Sequence, residues 1–589
     1  MSLRLLARAA TGWRSWLSPV VASTALLSCS ILLIEPVLWP HLEPSYPDLP
    51  DLDYLPMRGQ AHAAMPLVDP ETGEFTSPGR IWIKGSESVR SASVDGGASI
   101  ALDPPFYVAI AEVEPGHHEV EFGAEGVPRR AVVVPGGAEL TQERDRFSLL
   151  SYGCFDPFDI QAGRVIVEPG DGTSLPGAKR EPYARLWAIR ALLRDAAAGE
   201  LRDLPKPSLI LGAGDQIYVE PAHDRYGALG LEHPLSAWTI EAKPRPRLSL
   251  GGFVKFVDAT YRAGWSFSTL DAAFRQCPSV MMWDDHEIRD GWGSQGDEHV
   301  YADTYYAAAR EAFLQHQFQR GPRQRTPDMD RVDAPLYQTF RLHGLPIFVL
   351  DERSARDIGV PQVLGDEQRR AFAQWLASLD PEDSPYYVVV SPLPMLYRIG
   401  DIVGIASYFE EEIRDDLHDN WGFKPNTYEL NRLMLLMVHA AERGLKAVIV
   451  SGDMHMSAIL RAKTRRTSEA ASRVFAYEII TSGLASKVDS GGWKYEIGRE
   501  GSLTGTGIEL GEHHLEFELG LAEPNPNFGA LEFSGDQVTV HLIQALSEGI
   551  VHYRIPLRFG TGTPAFGEML ARARQSLAIP AELPPPLAK

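Results

Sequence analysis

Six apolar runs in this chain each end in side chains able to bind cations or move protons. Ser151-Tyr152-Gly153-Cys154 follows residues 147–150, and Gly214-Asp215-Gln216-Ile217-Tyr218 follows 209–211. Trp283-Asp284-Asp285-His286-Glu287 follows 280–282, Asp351-Glu352-Arg353-Ser354 follows 347–350, and Ser391-Pro392 follows 387–390. Ser451-Gly452-Asp453-Met454-His455 closes the series after 447–450. Any one cluster is weak evidence: a Gly-Asp after a strand is most often a turn, and Asp-Asp-His-Glu reads equally well as a capped helix start. Six in succession are hard to attribute to chance. Their residue types suit a two-metal site, where neighbouring cations activate a hydroxide and clamp the attacking and leaving oxygens of an in-line displacement. One carboxylate must bridge the metals, and Asp215 is the natural candidate. The other ligands would be carboxylate, imidazole, thiolate or phenolate.

For these clusters to converge, the runs must be strands of one α/β sheet, because ligands bind beyond the carboxyl ends of such strands. The pattern supports this. Strands expected at 209–211, 280–282, 347–350, 387–390 and 447–450 alternate with helical stretches at 183–198, 366–379 and 431–443. Ahead of them, residues 57–142 read as a small β-sandwich, with short strands at 81–83, 107–113, 120–122 and 131–134 between Gly, Pro and Asp. His117 and His118 lie at a hairpin edge there and read as solvated. Residues 220–260, rich in Pro, Gly and charge, read as an insertion shaping the pocket. The expected organisation is an N-terminal segment (1–40), a linker (41–56), the sandwich (57–142), the main α/β domain (143–560), and a C-terminal helix with a Pro-rich tail (561–589).

With 589 residues the chain is too long for one ordinary core, so two or three folded units are expected. Its 56 basic and 78 acidic residues give a net charge of −22, and no basic stripe is present, which argues against nucleic-acid binding. Of the three cysteines, Cys29 lies in the N-terminal apolar segment, so at most Cys154 and Cys277 can pair in the body. Arg4, Arg8 and Arg14 flank an apolar run over 16–34 that is just long enough to span a bilayer. The positive flank would stay cytoplasmic and place the body outside, tethered. A cleaved signal peptide and a lipoprotein box at Leu26-Leu27-Ser28-Cys29 are the alternatives.

The motif series resembles the metallophosphoesterase superfamily, whose blocks run Asp-x-His, Gly-Asp, Gly-Asn-His-Asp/Glu, His, Gly-His-x-His. The order is kept while several ligand types differ, and the differences resemble those of the alkaline phosphatase D family. That family has a cysteine in the first block, Gly-Asp-x-x-Tyr, Trp-Asp-Asp-His-Glu, Leu-Asp-x-Arg and Ser-Gly-Asp-x-His. Leu364-Gly365-Asp366-Glu367-Gln368 with Trp375 and Leu376 matches its helical segment. The likeness covers roughly residues 80–545. It implies a four-layer α/β/β/α sandwich behind the β-sandwich, and hydrolysis of small phosphate mono- or diesters. It also implies a ferric ion on Cys154, Asp215, Tyr218 and His455, and calcium on Asp215 and Asp453. Asp290-Gly291 stands where the family commonly has an asparagine pair, so Asp290 is expected as a ligand of the second metal. Asp285 and His286 are expected to act in catalysis. Arg353 would bind the phosphoryl group or form a structural salt bridge. No adjacent arginine pair precedes Trp16, unlike the twin-arginine leaders common in the family. A lactonase of the metallo-β-lactamase type is excluded by the lack of His-x-His-x-Asp-His. The remaining alternative is a catalytically decayed surface-binding protein on the same fold.

Overall fold

The computed structural model describes residues 57–577 apart from internal stretches, the longest being 166–182, 220–249, 295–305, 398–417 and 485–507. The N-terminal segment, the linker, most of the expected insertion and the end of the tail therefore lie outside the described residues. Among those described, no helix is long and apolar enough to cross a membrane.

Two large sheets form the body. The first runs, edge to edge, Ser279–Met282, Pro207–Ala213, Arg146–Tyr152, Asn527–Ser534, Gln537–Leu546, Gly549–Pro556 and Arg574–Leu577. Its first three strands are parallel and the rest antiparallel. The second runs Gln338–Leu342, Leu345–Val349, Tyr386–Ser391, Lys446–Ser451, Arg473–Thr481, Ser457–Arg466, His513–Glu523 and Ile508–Leu510. Its second to fifth strands are parallel.

The parallel strands are apolar throughout because both faces are covered. Alternate side chains go to opposite sides. Ile347, Val349, Val388, Val390, Val448 and Val450 face the large core shared by the two sheets. Phe348, Val389, Ala447 and Ile449 instead pack with Phe372, Leu376, Leu433 and Met437 of helices Gly365–Ser378 and Thr427–Glu442. Helix Tyr183–Ala198 covers the other sheet through Ile189, Leu192 and Leu193, and helix Ser268–Gln276 packs between that helix and the sandwich strands. The result is the four-layer α/β/β/α arrangement that the resemblance implies. Each fully buried aliphatic side chain in these layers contributes about 1.5–3 kcal/mol. Cys154 and Cys277 are buried and unpaired, so the one disulfide the body could form is absent.

A three-stranded sheet (Gln60–Ala64, Gly79–Lys84, Val108–Val113) and a four-stranded sheet make the N-terminal sandwich. The first two strands are buried along their whole length. Ala61, Ala63, Ile81 and Ile83 fill the sandwich, whereas Ala64 and Trp82 belong to the core of the body. Trp82 stacks on His62 with ring centroids 5.2 Å apart, meets Trp265 edge-on, and donates its indole N–H to the Gln315 carbonyl at 2.9 Å. The seam is thus an interior surface. Trp82→Ala is expected to lower stability by about 3–5 kcal/mol, measured by urea denaturation. A loss below about 1 kcal/mol would mean that the sandwich is loosely docked.

Candidate metal centre

The strand-end clusters from both sheets meet at one place because their turns are bonded to one another. The Phe155 N–H donates to the Asp215 carbonyl at 2.8 Å, the Gly214 N–H to Met282 at 3.1 Å, and the Gly452 N–H to Pro392 at 2.9 Å. The Gly483 N–H reaches Gly153 at 3.2 Å, and the Ser151 and Thr481 hydroxyls join the two sheets at 2.8 Å. Glycine is required where the backbones touch: a Cβ at Gly452 would lie 1.9 Å from the Ala213 carbonyl oxygen, which cannot yield.

Four of the eight described non-glycine residues with positive φ lie here: Cys154 (52°), Asp215 (52°), Asp453 (62°) and His455 (52°). Left-handed backbone at such residues costs on the order of 1–3 kcal/mol each and persists where the surroundings over-determine it. The turns aim their side chains at a common point. The Cys154 thiol lies 3.2 Å from Asp215 Oδ2, and the Tyr218 hydroxyl is 3.2 Å from the same oxygen and 2.9 Å from His455 Nε2. Cys154, Asp215 and His455 offer ligand atoms within 4.8 Å of one another. Two further groups of that compactness adjoin them, Asp215–Asp285–His286 and Asp284–Asp285–Asp453. Asp215 thus belongs to one group on each side, as a bridging carboxylate must.

Asp284 and Glu287 also bear out the bland reading of Asp-Asp-His-Glu, since Glu287 accepts the Asp284 N–H at 2.7 Å across the short helix Asp285–Glu287. Cap and ligand cluster are one structure. His286, half-buried, lies over the Tyr218 ring with centroids 4.0 Å apart.

One expected ligand stands apart from the compact groups, and of the two readings of Arg353 the geometry matches the salt bridge. Asp290 is exposed and belongs to none of the compact ligand groups among the described residues. The turn closes when the Gly291 N–H donates to Asp285 Oδ2 at 2.7 Å, and this leaves Asp290 on the outside. Asp284, not singled out from the sequence, stands in the second group instead. Arg353 does not reach for a phosphoryl group. It is fully buried, and all five of its N–H donors are used, by Asp284 Oδ1, by Asp285 Oδ1 at 3.3 Å, by both Asp419 oxygens at 2.6 Å, and by the Trp292 carbonyl at 2.8 Å. It is a positioning residue.

Ser391 also stays apart, its hydroxyl bonding Glu352 and the Leu393 carbonyl. Ser482 was missed. Its hydroxyl lies 2.9 Å from the Cys154 sulfur and accepts the His455 N–H at 2.7 Å. It follows the strand Arg473–Thr481 as the other clusters follow theirs, so the same pattern would have found it.

The electrostatics ask for cations. Burial pushes the Asp215 carboxyl well above the usual carboxylate range; His286 opposes this, while Asp285, Glu287 and Asp453 add to it. Burial also pushes Asp284 well up despite Arg353. For Asp285 burial acts the same way, but Arg353, His286 and the Gly291 N–H outweigh it and hold the group at about 2. The Cys154 thiol is pushed up by burial and then by Asp215. Two buried guanidiniums, Arg353 and Arg356, face Asp284, Asp285 and Asp419, and with Asp215 and Asp453 beside them the dry site still holds more carboxylates than cations. Asp215 Oδ1 and Asp284 Oδ2 are buried and accept no hydrogen bond, although such oxygens are ordinarily satisfied. Bound metal ions would supply both the charge and the missing partners, so the donor set fits them.

A family profile described as PhoD-like phosphatase matches residues 194–520. An uncharacterized protein of Saccharomyces cerevisiae, YGR266W, is 22% identical over 333 residues, covering 44% of this chain and 46% of the yeast protein, so the match spans less than half of that relative. Among solved structures, one titled "Structure of PhoD" aligns with a TM-score of 0.54 at 13% identity, covering 91% of this chain and 95% of the other. Purple acid phosphatase PPD1 from yellow lupin (Lupinus luteus) seeds is more distant, with a TM-score of 0.43 and 9% identity over 83% of this chain and 72% of that one.

The saturation of Arg353 separates its two readings. Arg353→Gln is expected to cost about 3–5 kcal/mol of stability, as when one partner of a buried ion pair is removed, read by urea denaturation. Unchanged stability with only a raised KM would assign the guanidinium to substrate.

Proposed function

The chain belongs to the PhoD-like phosphatase family, and on that premise we propose that it hydrolyses small phosphate mono- or diesters at a two-metal centre. The observation that carries this reading is the convergence of Cys154, Asp215 and His455, on left-handed turns, with the Tyr218 hydroxyl beside the Asp284–Asp285–Asp453 group. The first set suits ferric iron, since phenolate and carboxylate are hard donors; the second, all carboxylate, suits calcium. When bound, such ions neutralise phosphoryl charge and activate the attacking water.

The protein's own contribution is placement. Asp215 belongs both to the Cys154–Asp215–His455 group and to the Asp215–Asp285–His286 group, and through Asp285 it adjoins the all-carboxylate group, so it would help set the separation of two ions. Arg353 fixes Asp284 and Asp285 through its fork of hydrogen bonds, so these carboxylates need no reorganisation when substrate enters. Ser482 orients Cys154 and the His455 backbone together. His286 sits at the half-exposed edge next to Asp285, where it can pass a proton to the leaving oxygen as the phosphorus–oxygen bond breaks. A decayed binding protein would have had no reason to keep this strained, charge-rich arrangement.

The body is proposed to act outside the cytoplasm, on the strength of Arg4, Arg8, Arg14 and the apolar run after them. Protease added to spheroplasts should digest the body. Its recovery intact in the cytosol would remove this part of the reading.

For the chemistry, the purified protein should contain iron, show a visible phenolate-to-iron band, and lose activity towards a phosphoester panel on chelation. Tyr218→Phe should bleach the band with the fold intact. Asp215→Asn should lower kcat on the order of 10²–10³-fold. A colourless, iron-free protein at full rate would refute the iron assignment, and one inactive on every ester after metal loading would refute the hydrolase reading.

A further inference from the structure

On the far side of the eight-stranded sheet, helix Thr427–Glu442 meets the start of strand His513–Glu523. His439 and Glu442, one turn apart at the end of the helix, and His513 at the start of the strand offer ligand atoms within 4.8 Å of one another. His439 Nδ1 is 3.2 Å from Glu442 Oε2, and the two imidazole rings lie 5.6 Å apart, nearly perpendicular.

His513 is the telling member. Its side chain is 1% exposed, yet neither ring nitrogen has a hydrogen-bond partner. A buried imidazole normally satisfies at least one nitrogen. His439 is exposed and Glu442 partly so, so the cluster opens to solvent on one side.

Glu442 is held in place from behind. Arg466, paired with His513 across the adjoining strands, donates to Glu442 Oε1 at 2.6 and 3.0 Å, and Arg473 approaches the same oxygen at 3.6 Å. Oε2 is thereby turned towards His439. Both helix ligands lie in the last turn, where the carbonyl ends favour a cation. The guanidiniums work against a hard, highly charged ion. Two imidazoles and one carboxylate, with a fourth position open to water, suit a late transition metal in its divalent state.

We propose that His439, Glu442 and His513 form a second metal site, independent of the candidate catalytic centre, which binds a divalent transition metal such as Zn2+ and ties the sheet edge to the helix. Because the helix leads directly into the strand Lys446–Ser451, whose end bears Asp453 and His455, the site braces an element that positions the centre. It takes no part in the chemistry.

The full-length protein is dialysed against Zn2+, washed through a desalting column and assayed for bound metal beside His439→Ala, whose exposed position leaves folding undisturbed. The wild type should retain one more zinc equivalent than the variant, and Zn2+ should raise its melting temperature but not the variant's. His513→Gln should likewise lose one equivalent, with its circular dichroism unchanged. Phosphoesterase activity, or its absence, should be the same in wild type and His439→Ala, so the result does not depend on the proposed reaction. Equal zinc content in wild type and His439→Ala would overturn the site.

Discussion

Arg353 is the contact on which the rest of the centre depends. A single buried guanidinium binds Asp284 and Asp285 from one strand end, Asp419 from far along the chain, and the Trp292 carbonyl from the turn after Asp285. Burial works against its charge, but the three carboxylates outweigh this and hold it firmly protonated. Such a network adds little net stability, because desolvating the ions costs as much as their attraction returns. What it provides is direction. With five donors committed, Asp284 and Asp285 can occupy only one orientation, and Asp284 Oδ2 is left facing the centre without a hydrogen bond.

The strained turns stand on the same logic. Cys154, Asp215, Asp453 and His455 hold left-handed backbone conformations because neighbouring loops bond to them and glycines let those loops approach. Both sheets supply these turns, so the centre exists only when the two sheets are stacked. The inter-sheet core is therefore also the support of the chemistry.

The sandwich is joined to the body by buried polar groups as well as by Trp82. His62 pairs with Asp271 at 3.1 Å, and Lys84 and His316 share Asp258. The Arg320 guanidinium makes no hydrogen bond. It lies instead against Trp82, Trp265 and Phe274, 5.4, 4.8 and 4.2 Å from their ring centres, where cation–π attraction offsets part of the lost hydration. Burial lowers its pKa to about 9, still above neutrality. Buried polar pairs tolerate only one docking arrangement, because any other would leave them unpartnered, so the seam specifies as well as binds.

The strands that carry ligands were legible in the sequence because burial on both faces makes them continuous apolar runs, and because each ends in residues with an evident cation chemistry. Observed strands such as Tyr386–Ser391 and Lys446–Ser451 extend the expected 387–390 and 447–450 by a residue or two. The antiparallel strands beyond residue 456 went unread, since one of their faces tolerates polar residues and their pattern is weak. Position after successive apolar runs, together with the family resemblance, marked Cys154, Asp215, Tyr218, Asp453 and His455 as donors. It could not tell Asp284 from Asp290, nor a substrate arginine from a positioning one. Those distinctions depend on which way a short turn faces, which the Gly291 N–H on Asp285 decides, and on how many donors are already taken, which is decided by groups 60 or more residues away in the chain, as Asp419 is from Arg353.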